Sequence, residues 1–130
     1  MIYSLVVLAP PASGHCTATA AQFALAAIRR GHQVHRVFFL DQGTLSGGQA
    51  AVFPQDEADP LASWLELAER HGVELVLCIS SALRWGMLDQ EEADRHERPA
   101  ATVHPAFTIS GLGQLVDACA HSDRLLTFGG

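Results

Sequence analysis

The chain has 130 residues and a mass of 13.9 kDa, the size of one domain with one core, and no repeat or low-complexity tract divides it, so residues 1–130 are read as a single domain. Eight Lys and Arg against fourteen Asp and Glu leave a formal net charge of −6, a surface that repels phosphate backbones and argues against direct nucleic-acid binding. Apolar residues make up 48% of the chain, enough for a packed interior, yet no apolar run approaches the roughly 20 residues that span a bilayer, so a soluble protein with no membrane association is expected.

The first apolar run, residues 2–8, has no basic leader, and Pro10-Pro11 follows where a signal peptide shows small cleavage-site residues. It predicts a first strand in a cytoplasmic protein. A helix follows, with Ala21, Ala24, Leu25 and Ile28 on one side, Arg29 and Arg30 in the last turn and a stop at Gly31. Residues 34–40 predict a second strand. The connection over residues 41–58 carries Gly43, Gly47, Gly48 and Pro54 without periodicity, and a loop of that length is commonly functional. A turn of helix is expected in it around Gln49 to Val52.

Asp59 as N-cap and Pro60 at the first helical position open a second long helix, which buries Leu61, Trp64, Leu65 and Ala68 and ends at Gly72. A third strand spans residues 73–79. Ser80-Ser81-Ala82-Leu83-Arg84 reads as the cap and first turn of a short helix, and Asp89-Gln90-Glu91-Glu92 as a capping-box variant opening another. A short strand near Thr108 and Ile109 precedes a helix with Leu112, Leu115, Val116 and Cys119 on its apolar side, where Cys119 is expected in the core. Residues 125–128 predict an outer strand.

Strands without strict alternation, separated by helices, predict an α/β fold: a flavodoxin-like, doubly wound, five-stranded parallel sheet in the order 2-1-3-4-5 with helices on both faces. That order makes strands 1 and 3 neighbours and brings the loops at their carboxyl ends together.

The familiar catalytic motifs are missing. The turn after strand 1 has neither the lysine of G-x-x-x-x-G-K-[ST] nor the glycines of G-x-G-x-x-G, and nothing positive supports a flavin, so no cofactor is expected. Seven histidines show no ligand spacing; His32 and His35 point to opposite faces, His71 suits a helix C-terminus, and no metal is expected. No G-x-S-x-G elbow supports a serine hydrolase. Three cysteines, at 16, 78 and 119, form neither an even set nor a C-x-x-C pair, which fits free thiols in a reducing compartment.

Cys78 is the informative residue. It stands at the carboxyl end of the third strand, where the Ser80-Ser81 turn presents helix-start N–H groups and Arg84 is within reach, a setting that favours a thiolate. The competing reading is a small buried hydrophobe in an apolar strand. Reactivity requires the thiol to stand open to solvent at the rim of the sheet. Cys16, at the opening of the first helix, comes near Cys78 if strands 1 and 3 are adjacent. Trp85 and Met87, in a run too apolar for an exposed turn, and Phe53 in the long loop suggest a surface for partner docking, against the alternative that they fold back onto the core.

In order along the chain, Pro10-Pro11, Gly31-His32, Val37-Phe38-Phe39, His71-Gly72-Val73, Cys78 ahead of Ala82-Leu83-Arg84-Trp85-Gly86, the segment Pro105-Ala106-Phe107-Thr108-Ile109-Ser110-Gly111-Leu112-Gly113 and Asp123-Arg124 resemble the DsrE/TusD sulfur-relay proteins over nearly the whole length. The resemblance implies a cytoplasmic sulfurtransferase subunit whose cysteine, matching Cys78, carries sulfane sulfur as a persulfide. It implies two related partner subunits, DsrF-like and DsrH-like, in a 2:2:2 heterohexamer, and a small DsrC/TusE-type carrier protein that exchanges the sulfur. One branch of the family serves dissimilatory sulfur oxidation, the branch this sequence is read as closer to; the other serves 2-thiouridine formation in tRNA. Three rivals stand beside this reading: the tRNA branch, a scaffold subunit with an idle thiol, and a small-ligand or flavin module.

Overall fold

A computed structural model of the protein describes residues 1–129. Five strands form one sheet, β1 (Ile2–Val7), β2 (Gln33–Phe39), β3 (Glu74–Cys78), β4 (Phe107–Ser110) and β5 (Arg124–Phe128), and every neighbouring pair is parallel. The helices are α1 (Cys16–Arg29), α2 (Pro60–His71), α3 (Ile79–Arg84), α4 (Gln90–Arg95) and α5 (Gly113–Ala120). The punctuation read from sequence works locally. The Asp59 carboxylate accepts the Leu61 N–H at 2.9 Å, Gly72 ends α2 in the left-handed region at φ +66°, and Asp89 accepts the Glu92 N–H at 2.8 Å. Within α2 the deepest side chains are Trp64 and Leu67, while Leu61, Leu65 and Ala68 are half-buried.

The strand order is β4-β3-β2-β1-β5, which corrects the expected 2-1-3-4-5. β2 lies at the centre, with Val37, Phe38 and Phe39 fully buried, and Arg36 stands opposite Glu74 of β3 in the register. An apolar run identifies a strand covered on both faces, but its period carries nothing about which strand lies beside it. β5 closes the far edge against β1, so β2 separates β1 from β3.

This topology also sets where the helices go. From β1 to β4 the chain steps across the sheet in one direction; the last connection returns over its full width. Right-handed crossovers put helices for opposite directions of travel on opposite faces. Accordingly α1 and α2 cover Leu5, Val7, Val37, Phe39, Leu75 and Leu77, with Trp64 edge-on to Phe39 at 5.1 Å. On the other face, Leu115 of α5 meets Phe38, Val76 and Cys78. Helices on both faces are thus found as expected.

Two local expectations are overturned. The helical turn in the long connection lies at Asp41–Gly47, as a 3-10 helix, and Val52 is 92% exposed. Gly43 holds that turn against the end of β1, since a Cβ there would collide with the Val7 carbonyl oxygen. Cys119 is exposed rather than in the core. The reason is Arg36, 5% exposed, which reaches from β2 to α5 and donates to the Gln114 carbonyl at 2.9 Å and to the Asp117 carboxylate at 2.7 Å, while its Nε donates to Glu74 at 2.7 Å. Those bonds rotate α5 so that Ala118 is buried and Leu112, Val116 and Cys119 face outward. Among the described residues no helix is long and apolar enough to cross a membrane.

Candidate functional site

Cys78 occupies a junction. It is the last residue of β3 and the N-cap of α3, so its backbone turns from strand to helix at φ −63°, ψ 124°. Pairing opposite Ser110 of β4 puts it beside the loop that enters α5, and its side chain shares the α5 face with Phe38 and Val76 under Leu40 and Leu115. The residue is 3% exposed, so the expectation of a thiol standing open at the rim is not met in the isolated chain. Its surroundings are nevertheless not hydrocarbon alone: Sγ lies 3.5 Å from the hydroxyl of Ser80, which is itself exposed.

Burial by itself pushes the Cys78 thiol up, because the charged form loses solvent. Against it stand the Ser80 hydroxyl, the Ser81 N–H, the Ser81 hydroxyl and the Ser80 N–H, which stabilise the thiolate and together bring the thiol below its ordinary value. Arg84 is exposed at the far end of α3, has no ion-pair partner among the described residues and contributes nothing to this shift.

Sequence reasoning missed Asp41. It follows β2 directly and holds a left-handed backbone at φ 49°, which a residue with a Cβ keeps only when its surroundings enforce it. Its N–H donates to the Ser81 hydroxyl at 3.0 Å, and its carboxylate accepts the Trp85 indole N–H at 3.2 Å. Asp41 thus ties both ends of α3 to the 3-10 turn and fills an acceptor position of the hydroxyl that bonds Cys78. The only trace in the sequence is an Asp immediately after an apolar strand, which any turn would also use.

The other predicted positions scatter. Trp85 is 37% exposed beside the site. Met87 packs on the core near Gly48, and Phe53 lines a cavity of about 460 Å³ with Pro11, His15 and Pro60, by the loop after β1. Cys16 is half-buried, with its thiol pointing to the Gly129 carbonyl at 3.7 Å on the β5 side. Because β2 intervenes, strands β1 and β3 lie about 10 Å apart, and the juxtaposition of Cys16 with Cys78 drawn from the expected order is lost. A cavity of about 650 Å³ is lined by Val76, Ser110 and Gln114 but not by Cys78.

A strand-end cysteine with a depressed pKa and serine donors is chemically suited to thiol exchange. A model of the DsrE/DsrF-like family matches residues 1–128. The chain belongs to this family. It is 40% identical over 129 residues to DsrE of Allochromatium vinosum, covering 99% of each chain. It is 41% identical to sulfurtransferase TusD of Serratia proteamaculans, covering 97% of this chain and 98% of the relative, and 42% identical to a sulfurtransferase TusD homolog of Pseudomonas aeruginosa, covering 100% and 98%. The crystal structure of the ychN protein from E. coli superposes with a TM-score of 0.72 at 16% identity, covering 98% of this chain and 99% of that one, a likeness of fold. Membership in this family carries a sulfur-relay, transferase-type role.

Proposed function

We propose that the protein is a sulfurtransferase subunit in which Cys78 carries sulfane sulfur as a persulfide. The observation that carries the reading is the Cys78 thiol at the β3–α3 junction, drawn below its ordinary pKa by Ser80 and Ser81 despite burial. In loading, the Cys78 thiolate attacks the outer sulfur of a donor persulfide; the S–S bond of the donor breaks and the donor leaves as a thiolate. In unloading, the thiolate of a carrier protein of the DsrC/TusE type attacks the outer sulfur on Cys78, and Cys78 departs as a thiolate. One S–S bond forms for each one broken, so neither step needs an outside oxidant or reductant. A moderately lowered pKa serves Cys78 as nucleophile at neutral pH and again as leaving group.

The near-complete cover over Cys78 adds a requirement. Leu115, on the first turns of α5, and Leu40 must give way for a second sulfur to approach in line, so exchange is gated by movement of the α5 side. The outward stripe of α5, with Leu112 57% and Val116 68% exposed, next to Leu125 at 38%, supports association with further subunits, in line with the DsrF-like and DsrH-like partners of a 2:2:2 assembly. Between pathways, the several relatives named sulfurtransferase TusD, at identities of 38% to 42% that bracket the 40% to DsrE, are the ground on which the relay toward tRNA 2-thiouridine is taken over dissimilatory sulfur oxidation, the branch favoured from sequence alone. In either, the net charge of −6 suits a subunit that hands sulfur to a protein and does not touch RNA.

The test is mass spectrometry of protein incubated with a persulfide donor. One sulfur added on Cys78, and none in Cys78→Ser with Cys16 and Cys119 intact, is the expected result; undiminished loading of the variant rejects the assignment.

A further inference from the structure

We infer that His35, Asp117 and His121 form a binding site for one divalent transition-metal ion of the zinc class, at the end of the sheet opposite Cys78. The sequence shows no ligand spacing because the three come from two elements that meet only in the fold: His35 near the start of β2, Asp117 in the last turn of α5 and His121 at its C-cap. The His35 Nε2 lies 3.5 Å from Asp117 Oδ2, the His121 Nδ1 lies 3.0 Å from Asp117 Oδ1, and one ligand atom from each residue falls within 4.8 Å of the others.

Those separations are what a metal requires. Ligand atoms about 2.0–2.1 Å from a tetrahedral ion stand roughly 3.3 Å apart; the two imidazoles lie 3.5 Å and 3.0 Å from the two different oxygens of the Asp117 carboxylate, so a small turn of that carboxylate presents one oxygen to both. The three ligand atoms, within 4.8 Å of one another, draw together to reach that separation. His121, with 63% of its side chain exposed just past the end of α5, moves to do so by giving up the contact of its Nδ1 with the Asp117 backbone carbonyl at 2.9 Å. Two imidazoles, one carboxylate and a water complete four-coordination, a donor set suited to borderline divalent ions.

A second observation places the two ligating histidines, though not Asp117, around a recess. His35 and His121 line a cavity of about 560 Å³ that His32 and His71 also line, so four of the seven histidines converge there. His32 and His35 do lie on opposite faces of the sheet, His32 against Tyr3 and His35 against Asp117, but the cavity sits off the strand ends where both faces meet. Arg36, bonded to Asp117, opposes a nearby cation. Its charge is matched by Glu74, so Arg36, Glu74 and Asp117 together carry one net negative charge. Arg36 then acts as the partner that fixes the ligating carboxylate, a role such neighbours commonly play.

Bound there, the ion clamps the end of α5 to the start of β2 and so fastens the helix whose Leu115 covers Cys78. The site does not depend on the sulfur chemistry and is tested apart from it. Chelator-treated, reduced protein is titrated with Zn²⁺ by calorimetry and with Co²⁺ by visible absorption. The expected result is one ion per chain, a cobalt spectrum without thiolate charge transfer, and affinity lower by about 10- to 100-fold in His35→Gln and in His121→Ala. Zn²⁺ should raise the melting temperature of the parent and not of either variant. His121→Gln serves as a second variant at the more exposed position. A thiolate-to-cobalt band, equal affinity in all variants, or no binding at a hundredfold molar excess of metal overturns the assignment.

Discussion

The two faces of the sheet are built by different physics. Under α1 and α2, large apolar side chains from three central strands pack against Trp64, Leu67 and a row of alanines, all buried, and every partner comes from this chain. Under α5, among the described residues, a cluster of three buried residues, Phe38, Val76 and Cys78, is packed by the half-buried Leu40 and Leu115, and the helix is held as much by Arg36 as by apolar contact. One face is finished; the other ends in an outward apolar stripe. The difference teaches that Cys78 sits where the fold is thinnest, so that stability resides in one half of the molecule and accessibility can be adjusted in the other.

That contrast breaks most sharply at its two anchors. Trp64→Ala removes a fully buried indole from the finished face and should cost about 3–5 kcal/mol in urea unfolding, which for a domain of this size leaves little folded protein. Arg36→Ala should cost less, about 2 kcal/mol, because the carboxylates it leaves behind, Asp117 and Glu74, have 40% and 57% of their side chains exposed and can be hydrated. Its signature is selective: hydrogen exchange should quicken in α5 and leave α1 and α2 protected.

Smaller effects sharpen the comparison. Leu115→Ala should cost about 1 kcal/mol and yet speed alkylation of Cys78 severalfold, since it thins the cover without touching the serines; an unchanged rate would remove Leu115 from the gate. Last, the alkylation rate of the parent, followed against pH, should reach half its maximum below the ordinary thiol value, because the folded thiol ionises early. A folded pKa lower than the unfolded one contributes stability above the unfolded pKa that is lost as pH falls through the folded one. Ser81→Ala should therefore move the midpoint up and lessen the gain in stability on the alkaline side.

Much of this was legible in the chain. Asp59 with Pro60 and Gly72 bounded α2, Asp89 opened α4, and apolar runs located the strands, because capping and burial are local or periodic properties of sequence. Cys78 was legible for the same reason: a thiol between an apolar strand and a Ser-Ser turn can only stand at a strand-to-helix junction. Neither the order of the strands nor the facing of α5 could be read. Arg36 looked like one more polar residue in a strand, although its bonds to Glu74, Gln114 and Asp117 expose Cys119 and turn a helix with an evident apolar side partly inside out.

What the amino-acid sequence determined by itself was most of the elements, their approximate limits, the family and the place of Cys78 at a strand-to-helix junction. Tertiary structure alone decided that β2 separates β1 from β3, that Asp41 supports Ser81, that Cys78 is covered, and that His35, Asp117 and His121 meet. The reason is one of range. Propensity, capping and periodicity act over a few residues, whereas pairing, cover and convergence depend on contacts between segments 31 to 121 positions apart, which no local pattern encodes.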